Sequence, residues 1–286
     1  MIVTTYPQAS DFLARARAEL ESNEILNGLS LGIALRLQKF PGRIEIAPYL
    51  ATVEDEGELI VAAVMTPPFR LTITSNQLDI SEEALSLLIH NLREQGWSVP
   101  GVMGPAAISD HFARTWTRRT GEVAQVRTHE RLFELTKVIA PRPGPGSLQV
   151  ATPADSTLVV RWIQAFQEEA LGILLSDEDA LGWARTRIDN GEIYFWVLED
   201  GSIVSLIGTT RPLSRVISIG PVYTPPEMRG HGYALRSVAV LSQRLLDGGW
   251  ERCSLFTDLS NPTSNSIYQQ LGYRAVCDFN EYDFLH

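Results

Sequence analysis

Cysteine is scarce in this 286-residue chain: Cys253 and Cys277 are the only two, with no Cys-x-x-Cys and no histidine at metal-ligand spacing. That excludes a disulfide framework and a zinc site and leaves two buried apolar thiols, so no metal is expected. Uncharged apolar runs of the ~18 residues that span a bilayer are also missing. The start, Met1-Ile-Val-Thr-Thr-Tyr-Pro7, has no basic segment followed by an apolar one. A cytoplasmic protein without a membrane partner is expected. Basic charge is in deficit, 24 Lys plus Arg against 34 Asp plus Glu for a net charge of −10. This argues against a nucleic-acid or anionic-lipid surface and suits a cationic amine substrate. A polyanion could still be held locally by arginines and backbone amides.

What is present is a real core: 44% of residues are hydrophobic, enough for one large domain or two of ordinary size. Helical spacing marks residues 10–22, 24–37 and 82–95, and β-rich runs fill 49–54, 58–66 and 69–74. The acidic cluster Glu54, Asp55, Glu56 and Glu58 around Gly57 reads as a solvated hairpin tip rather than a cation site. From Ile139 to Gly146 the chain holds three prolines and two glycines with no apolar period, the texture of a linker. The expected organisation is a first domain at 1–140, a linker at 141–147 and a second domain at 148–286. Thr152-Pro-Ala-Asp155 has the form of a helix start, with the helix running to about residue 170. A second helix covers 176–188. Strands at 192–199 and 202–210 turn on Asp200-Gly201, and a further strand covers 215–224.

The two halves repeat one another faintly. Gly57–Thr66 faces Gly201–Thr210, Leu92-Arg-Glu-Gln-Gly-Trp97 faces Leu245-Leu-Asp-Gly-Gly-Trp250, Gly121–Val126 faces Gly272–Cys277, and Arg131–Leu135 faces Tyr282–Leu285. The repeat is asymmetric at one place. Where the second half has Arg229-Gly-His-Gly-Tyr-Ala234, the first has Ser75-Asn-Gln-Leu-Asp-Ile80, without glycine.

That glycine-containing stretch comes after the strand ending Val222-Tyr223-Thr224 and opens a helix whose apolar face carries Ala234, Val238, Leu241 and Leu245. Unblocked amides at a helix N-terminus, where the dipole adds roughly half a positive charge, bind phosphate. Downstream, Asn261, Asn265 and Tyr268 share one face of a short helix that Gly272 ends, while Ile267 and Leu271 face the core. The Arg-x-x-Gly-x-Ala loop (Arg229, Gly232, Ala234) and the Asn-x-x-x-Asn-x-x-Tyr tail, in this order over residues 150–286, resemble the GCN5-related N-acetyltransferase superfamily.

The resemblance implies a mixed α/β (α+β) sheet flanked by helices, in tandem acetyltransferase-like domains of which the first is a degenerate copy. It implies acetyl-CoA as co-substrate and a small-molecule or peptide amine as acceptor. Backbone groups of Val222, Tyr223 and Thr224 would pair with pantetheine, and the amides of Arg229, Gly230, His231, Gly232, Tyr233 and Ala234 would hold the pyrophosphate. Asn261 and Asn265 match positions along the pantetheine arm, and Tyr268 matches the tyrosine beside the coenzyme sulfur, a general acid for the leaving thiolate. The acid–base partner of the amine stays open among Glu168, Glu169 and Asp258. Arg236, in the first helical turn, is either a phosphate ligand or an exposed helix residue. His231 is likewise open between phosphate and solvent. The rival reading is a non-catalytic acyl-CoA sensor; monomer, as a pseudo-dimer within one chain, and homodimer are both compatible.

Overall fold

A computed structural model describes residues 1–42, 46–77 and 79–285, with Leu171 by its backbone alone. The chain forms two compact units. The first comprises Met1–Phe133, Phe256–Pro262 and Ala275–His286, and the second Glu134–Leu255 and Thr263–Arg274.

The first unit runs β1 (Ile2–Thr5), α1 (Ala9–Ser22), α2 (Glu24–Lys39), β2 (Tyr49–Asp55), β3 (Glu58–Met65), β4 (Leu71–Thr74), α3 (Glu82–Glu94), β5 (Gly101–Pro105), α4 (Ala106–Thr120) and β6 (Val123–Leu135). The acidic hairpin tip lies between β2 and β3, where Glu56 and Gly57 both take positive φ. The second unit begins with β7 (Ser147–Val150). It continues through a single 3-10 turn to α5 (Ser156–Leu171), α6 (Asp177–Asp189), β8 (Ile193–Val197), β9 (Ile203–Thr210), β10 (Val216–Tyr223), α7 (Tyr233–Asp247), the first part of β11 (Arg252–Asp258) and α8 (Pro262–Gln270), whereas the last strand, β12 (Arg274–Leu285), belongs to the first unit from Ala275 onward.

Each unit places its strands in the order of the sequence. In the first, β1, β2, β3 and β4 pair antiparallel in turn and β4 pairs β5 in parallel. In the second, β7 to β10 are antiparallel neighbours and β10 pairs β11 in parallel. Two helices come after the first strand of each set and one helix joins each parallel pair, as a crossover requires. The internal repeat read in the sequence is thus a repeat of topology.

The last strand departs from this pattern. β12 pairs antiparallel with β5 of the first unit, Phe279 opposite Pro105 and Asp283 opposite Gly101. It is fastened there by polar contacts that its sequence, Arg-Ala-Val-Cys-Asp-Phe-Asn-Glu-Tyr-Asp, supplies on both faces. Arg131 meets Asp278 at 2.6 Å, Arg70 meets Glu281 at 2.7 Å and also Asp283, and Asp110 accepts from Asn280 Nδ2 at 2.6 Å and Tyr282 Oη at 2.9 Å.

Helix starts obey local chemistry. Thr152 donates from N and Oγ1 to Asp155 Oδ2, both at 2.7 Å, ahead of α5, and Ser176 Oγ accepts from Asp179 N ahead of α6. α3 is capped by Ser81, whose Oγ accepts from Ala84 N, and carries Glu82 and Glu83 in its first turn. Residues 75–80, the first-half counterpart of the glycine loop, lead into α3; Leu78 among them lies outside the described residues. The first core gathers Tyr49, Ile73, Leu85, Leu88 and Phe112, and the second gathers Val159, Trp162, Phe195, Leu206 and Tyr223. Among the described residues, no helix is long and apolar enough to cross a membrane.

Candidate active site

The site is built on the end of β10. Its parallel register with β11 covers only Val216 to Ser218, opposite Arg252 to Ser254, while β10 itself continues to Tyr223. A hydroxyl pair, Ser218 Oγ to Ser254 Oγ at 2.8 Å, marks the last paired rung. On the other side β10 stays paired with β9, through a bulge in which Gly220 and Pro221 stand opposite Gly208. A bulge bends its strand and re-aims the residues beyond it. Past Ser218, then, β10 runs on beyond its register with β11, and the backbone edge at Val222 and Tyr223 is of the kind an extended ligand can join.

The chain next turns through Pro226–Met228 into the glycine loop. Arg229 does structural work there. Its N–H donates to Pro226 O at 3.2 Å, its Nε donates to Thr224 O at 2.9 Å, and its Nη2 donates to Glu169 Oε2 at 2.5 Å. Glu169, at the end of α5, also accepts from Tyr223 Oη at 3.0 Å. Burial, and then this carboxylate, push the Tyr223 phenol above its ordinary value. Ser205 Oγ bonds Tyr223 O at 3.0 Å and Thr224 Oγ1 at 2.9 Å, fixing the strand end from β9.

Gly230 and Gly232 both lie in the left-handed region, φ +82° and +71°, where side chains are strained. Gly232 caps α7 with no side-chain acceptor. The first helical bond is Arg236 N to Gly232 O at 3.1 Å, so the amides of Gly230, His231, Gly232, Tyr233, Ala234 and Leu235 all precede it. Exposed His231 stacks on Tyr233, ring centroids 5.5 Å apart. The Arg236 guanidinium folds back, donating to His231 O at 2.6 Å and standing 5.5 Å over the Tyr233 ring.

The tail helix α8 carries Asn265 half-buried and Tyr268 buried, while Asn261 is exposed just before it and belongs to the first unit. Tyr268 packs edge-on against Tyr273 at 5.8 Å, and Tyr273 Oη bonds Ser242 Oγ of α7 at 2.9 Å, so the two helices share one aromatic seam. Burial pushes the Tyr268 phenol up to about 12.

The structure therefore brings Val222, Tyr223, Thr224 and Arg229 to Ala234 into one continuous turn. Tyr268 is tied into the same unit through Tyr273. Among the three candidate acids, Asp258 accepts from Ser260 N at 2.7 Å, and Glu168 is exposed. Sequence spacing offered no sign that Glu169, 60 residues before Arg229, holds the loop. The alternation of Ser205 among apolar residues on β9 was a signal for its buried role. Among the described residues, no cluster of three or more His, Cys, Asp or Glu is placed to hold a metal ion.

Comparison with known proteins bears on the fold. The family model for the acetyltransferase (GNAT) family matches residues 158–273. Three solved structures share the fold over nearly the whole length. An acetyltransferase from the GNAT family of Colwellia psychrerythraea is 12% identical, covering 99% of this chain and 100% of its own, with a TM-score of 0.63. A GCN5-related N-acetyltransferase from Sphaerobacter thermophilus is 18% identical, covering 98% and 94%, with a TM-score of 0.62. A tandem GNAT protein from the clavulanic acid biosynthesis pathway is 12% identical, covering 99% and 97%, with a TM-score of 0.54. At these identities the likeness is one of fold. No curated protein matches the sequence. Residues 158–273 thus match the acetyltransferase (GNAT) family model, and the chain shares its fold over nearly its whole length with a tandem GNAT protein.

Proposed function

We propose that the second half transfers an acetyl group from acetyl-CoA to a primary amine by direct attack. The observation that carries the reading is the start of α7, where the N-cap Gly232 makes no side-chain cap bond and Gly230 and Gly232 both lie in the left-handed region ahead of the first helical bond. That is a site for a pyrophosphate. The edge of β10 at Val222 to Thr224 would pair with the pantetheine arm, alongside Asn261 and Asn265, and acetyl-CoA supplies the thioester. The amine nitrogen forms a bond to the carbonyl carbon as the carbon–sulfur bond breaks, and a backbone N–H near Val222 donates to the oxygen that gains charge.

Tyr268 meets the sulfur. A phenol at about 12 keeps its proton at neutral pH. Handing that proton fully to a thiolate whose thiol titrates near 8.5 runs uphill by about 5 kcal/mol. Tyr268 therefore serves first as a hydrogen-bond donor to the developing thiolate, and complete transfer requires its pKa to fall as that charge appears. A lysine-like amine also has to shed a proton, at about 4 to 5 kcal/mol at pH 7. Glu168, Glu169 and Asp258 are the candidate acceptors, and the bonds of Glu169 to Arg229 and Tyr223 favour a role in holding the loop. The acceptor is a small-molecule or peptide amine.

The test is calorimetric titration of acetyl-CoA, with turnover measured on an amine panel. Wild type should bind, Gly232→Glu should not, and Tyr268→Phe should bind normally while losing roughly 10- to 150-fold in turnover, the worth of one hydrogen bond to a charged group. Equal binding by wild type and Gly232→Glu refutes the assignment. A non-catalytic acyl-CoA sensor is the second reading, favoured by the absence of any acid on β10 between Val216 and Tyr223. Binding without CoA release from any amine would select it.

A further inference from the structure

We infer that Arg236 is a positioning residue for the phosphate-binding amides, and that Gly144 of the Pro/Gly segment holds it in place. This rests on the coenzyme reading above. Both residues lie in the second unit, and the seating is close: a Cβ on Gly144 would stand 2.7 Å from Arg236 Cζ and Nη1 and 2.9 Å from Nε. The backbone at Gly144 therefore lies against the guanidinium, and a side chain there would displace it. The segment cannot simply drift away, because Trp196 Nε1 donates to Pro145 O at 3.0 Å and a Cβ on Gly146 would lie 2.4 Å from that same nitrogen.

The other side of the guanidinium faces the loop. Arg236 Nη2 donates to His231 O at 2.6 Å, and Nη1 lies 3.2 Å from where a Cβ on Gly232 would be. Its Nε is buried and has no hydrogen-bond partner among the described residues. In a trans peptide the C=O and N–H point in opposite directions. With His231 O drawn to the guanidinium, the Gly232 N–H of the same peptide is turned away from it, toward the phosphate side. Release of Arg236 frees that peptide to flip and to present a carbonyl oxygen where an anion should sit. The linker thus acts on the coenzyme loop through one side chain.

Gly144→Ala tests this without touching the loop. Gly144 is not among the glycines with positive φ, and the added methyl meets a flexible side chain, so the variant should fold. Acetyl-CoA is titrated by calorimetry into wild type and Gly144→Ala, and S-acetylpantetheine, which lacks the pyrophosphate, by NMR. The variant should bind acetyl-CoA about tenfold more weakly while its affinity for S-acetylpantetheine is unchanged. Equal acetyl-CoA affinity in both proteins overturns the inference alone, as does an equal loss for both ligands, which would mean general damage. A wild type that binds no acetyl-CoA overturns the coenzyme reading and this inference with it.

Discussion

Replacing Gly232 by alanine isolates the contribution of backbone shape to coenzyme binding. The residue sits at φ +71°, and a left-handed conformation costs a residue with a Cβ about 1 to 2 kcal/mol. The new methyl would also stand 3.2 Å from Arg236 Nη1, a contact the end of a flexible side chain can relieve, so backbone strain outweighs crowding. That strain is shared between two observables. If the free loop keeps its shape, stability falls by the whole amount and affinity is unchanged. If the free loop relaxes to negative φ, stability is spared and acetyl-CoA must restore the shape, at a loss of roughly 5- to 30-fold in affinity. The sum of the two losses should come to about 1 to 2 kcal/mol. Calorimetric titration gives one part and denaturant unfolding the other. Gly201→Ala is the control, since its φ of +84° lies in the β8–β9 turn with nothing within 4 Å of the added Cβ. It should lose stability and no affinity. A Gly232→Ala protein with wild-type stability and wild-type affinity, or a Gly201→Ala protein that loses affinity to the same degree, refutes the role given to the glycine loop.

Two further outcomes are expected. Acetyl-CoA should bind at one equivalent per chain, because the matching helix of the first unit, α3, already spends its N-terminal amides on Ser81 and carries Glu82 and Glu83 there; two equivalents by calorimetry would contradict this. Alkaline stability should depend on Tyr268, whose folded pKa of about 12 exceeds the reference value of 10.0. A pKa raised by folding gives stability that is complete below pH 10 and lost as pH climbs toward 12, here about 3 kcal/mol. Unfolding of Tyr268→Phe should therefore respond less steeply to pH in that window, and an identical pH slope would show the phenol to be accessible to water.

The elements that could be read from the sequence are those whose signal is local. Ser81, Thr152 and Ser176 announce helix starts, Asp200-Gly201 announces a hairpin, and Gly230 and Gly232 announce a loop that needs left-handed backbone. Each rests on chemistry within a few residues. α4 is harder to see because it starts at Pro105 without a side-chain cap, and β1 is too short for a period to show. The route of β12 was out of reach for a different reason. Its residues say strand, but nothing in them says that Phe279 will lie opposite Pro105, since that pairing brings together groups far apart in the chain, Arg70 and Glu281 among them. The same holds for Glu169, whose work becomes visible only once Arg229 and Tyr223 have been folded onto it.

The placement of β12 has a consequence for how the protein is made. The edge of β5 emerges early in synthesis, yet the strand that covers it comes roughly 170 residues later, about 9 to 35 s at ribosomal rates of 5 to 20 residues per second. Throughout that interval the first half carries an open sheet edge, the kind of surface that recruits stray strands and chaperones. Its native sheet closes only once β12 has left the ribosome, so the first unit is completed by a strand made after the second unit's sheet.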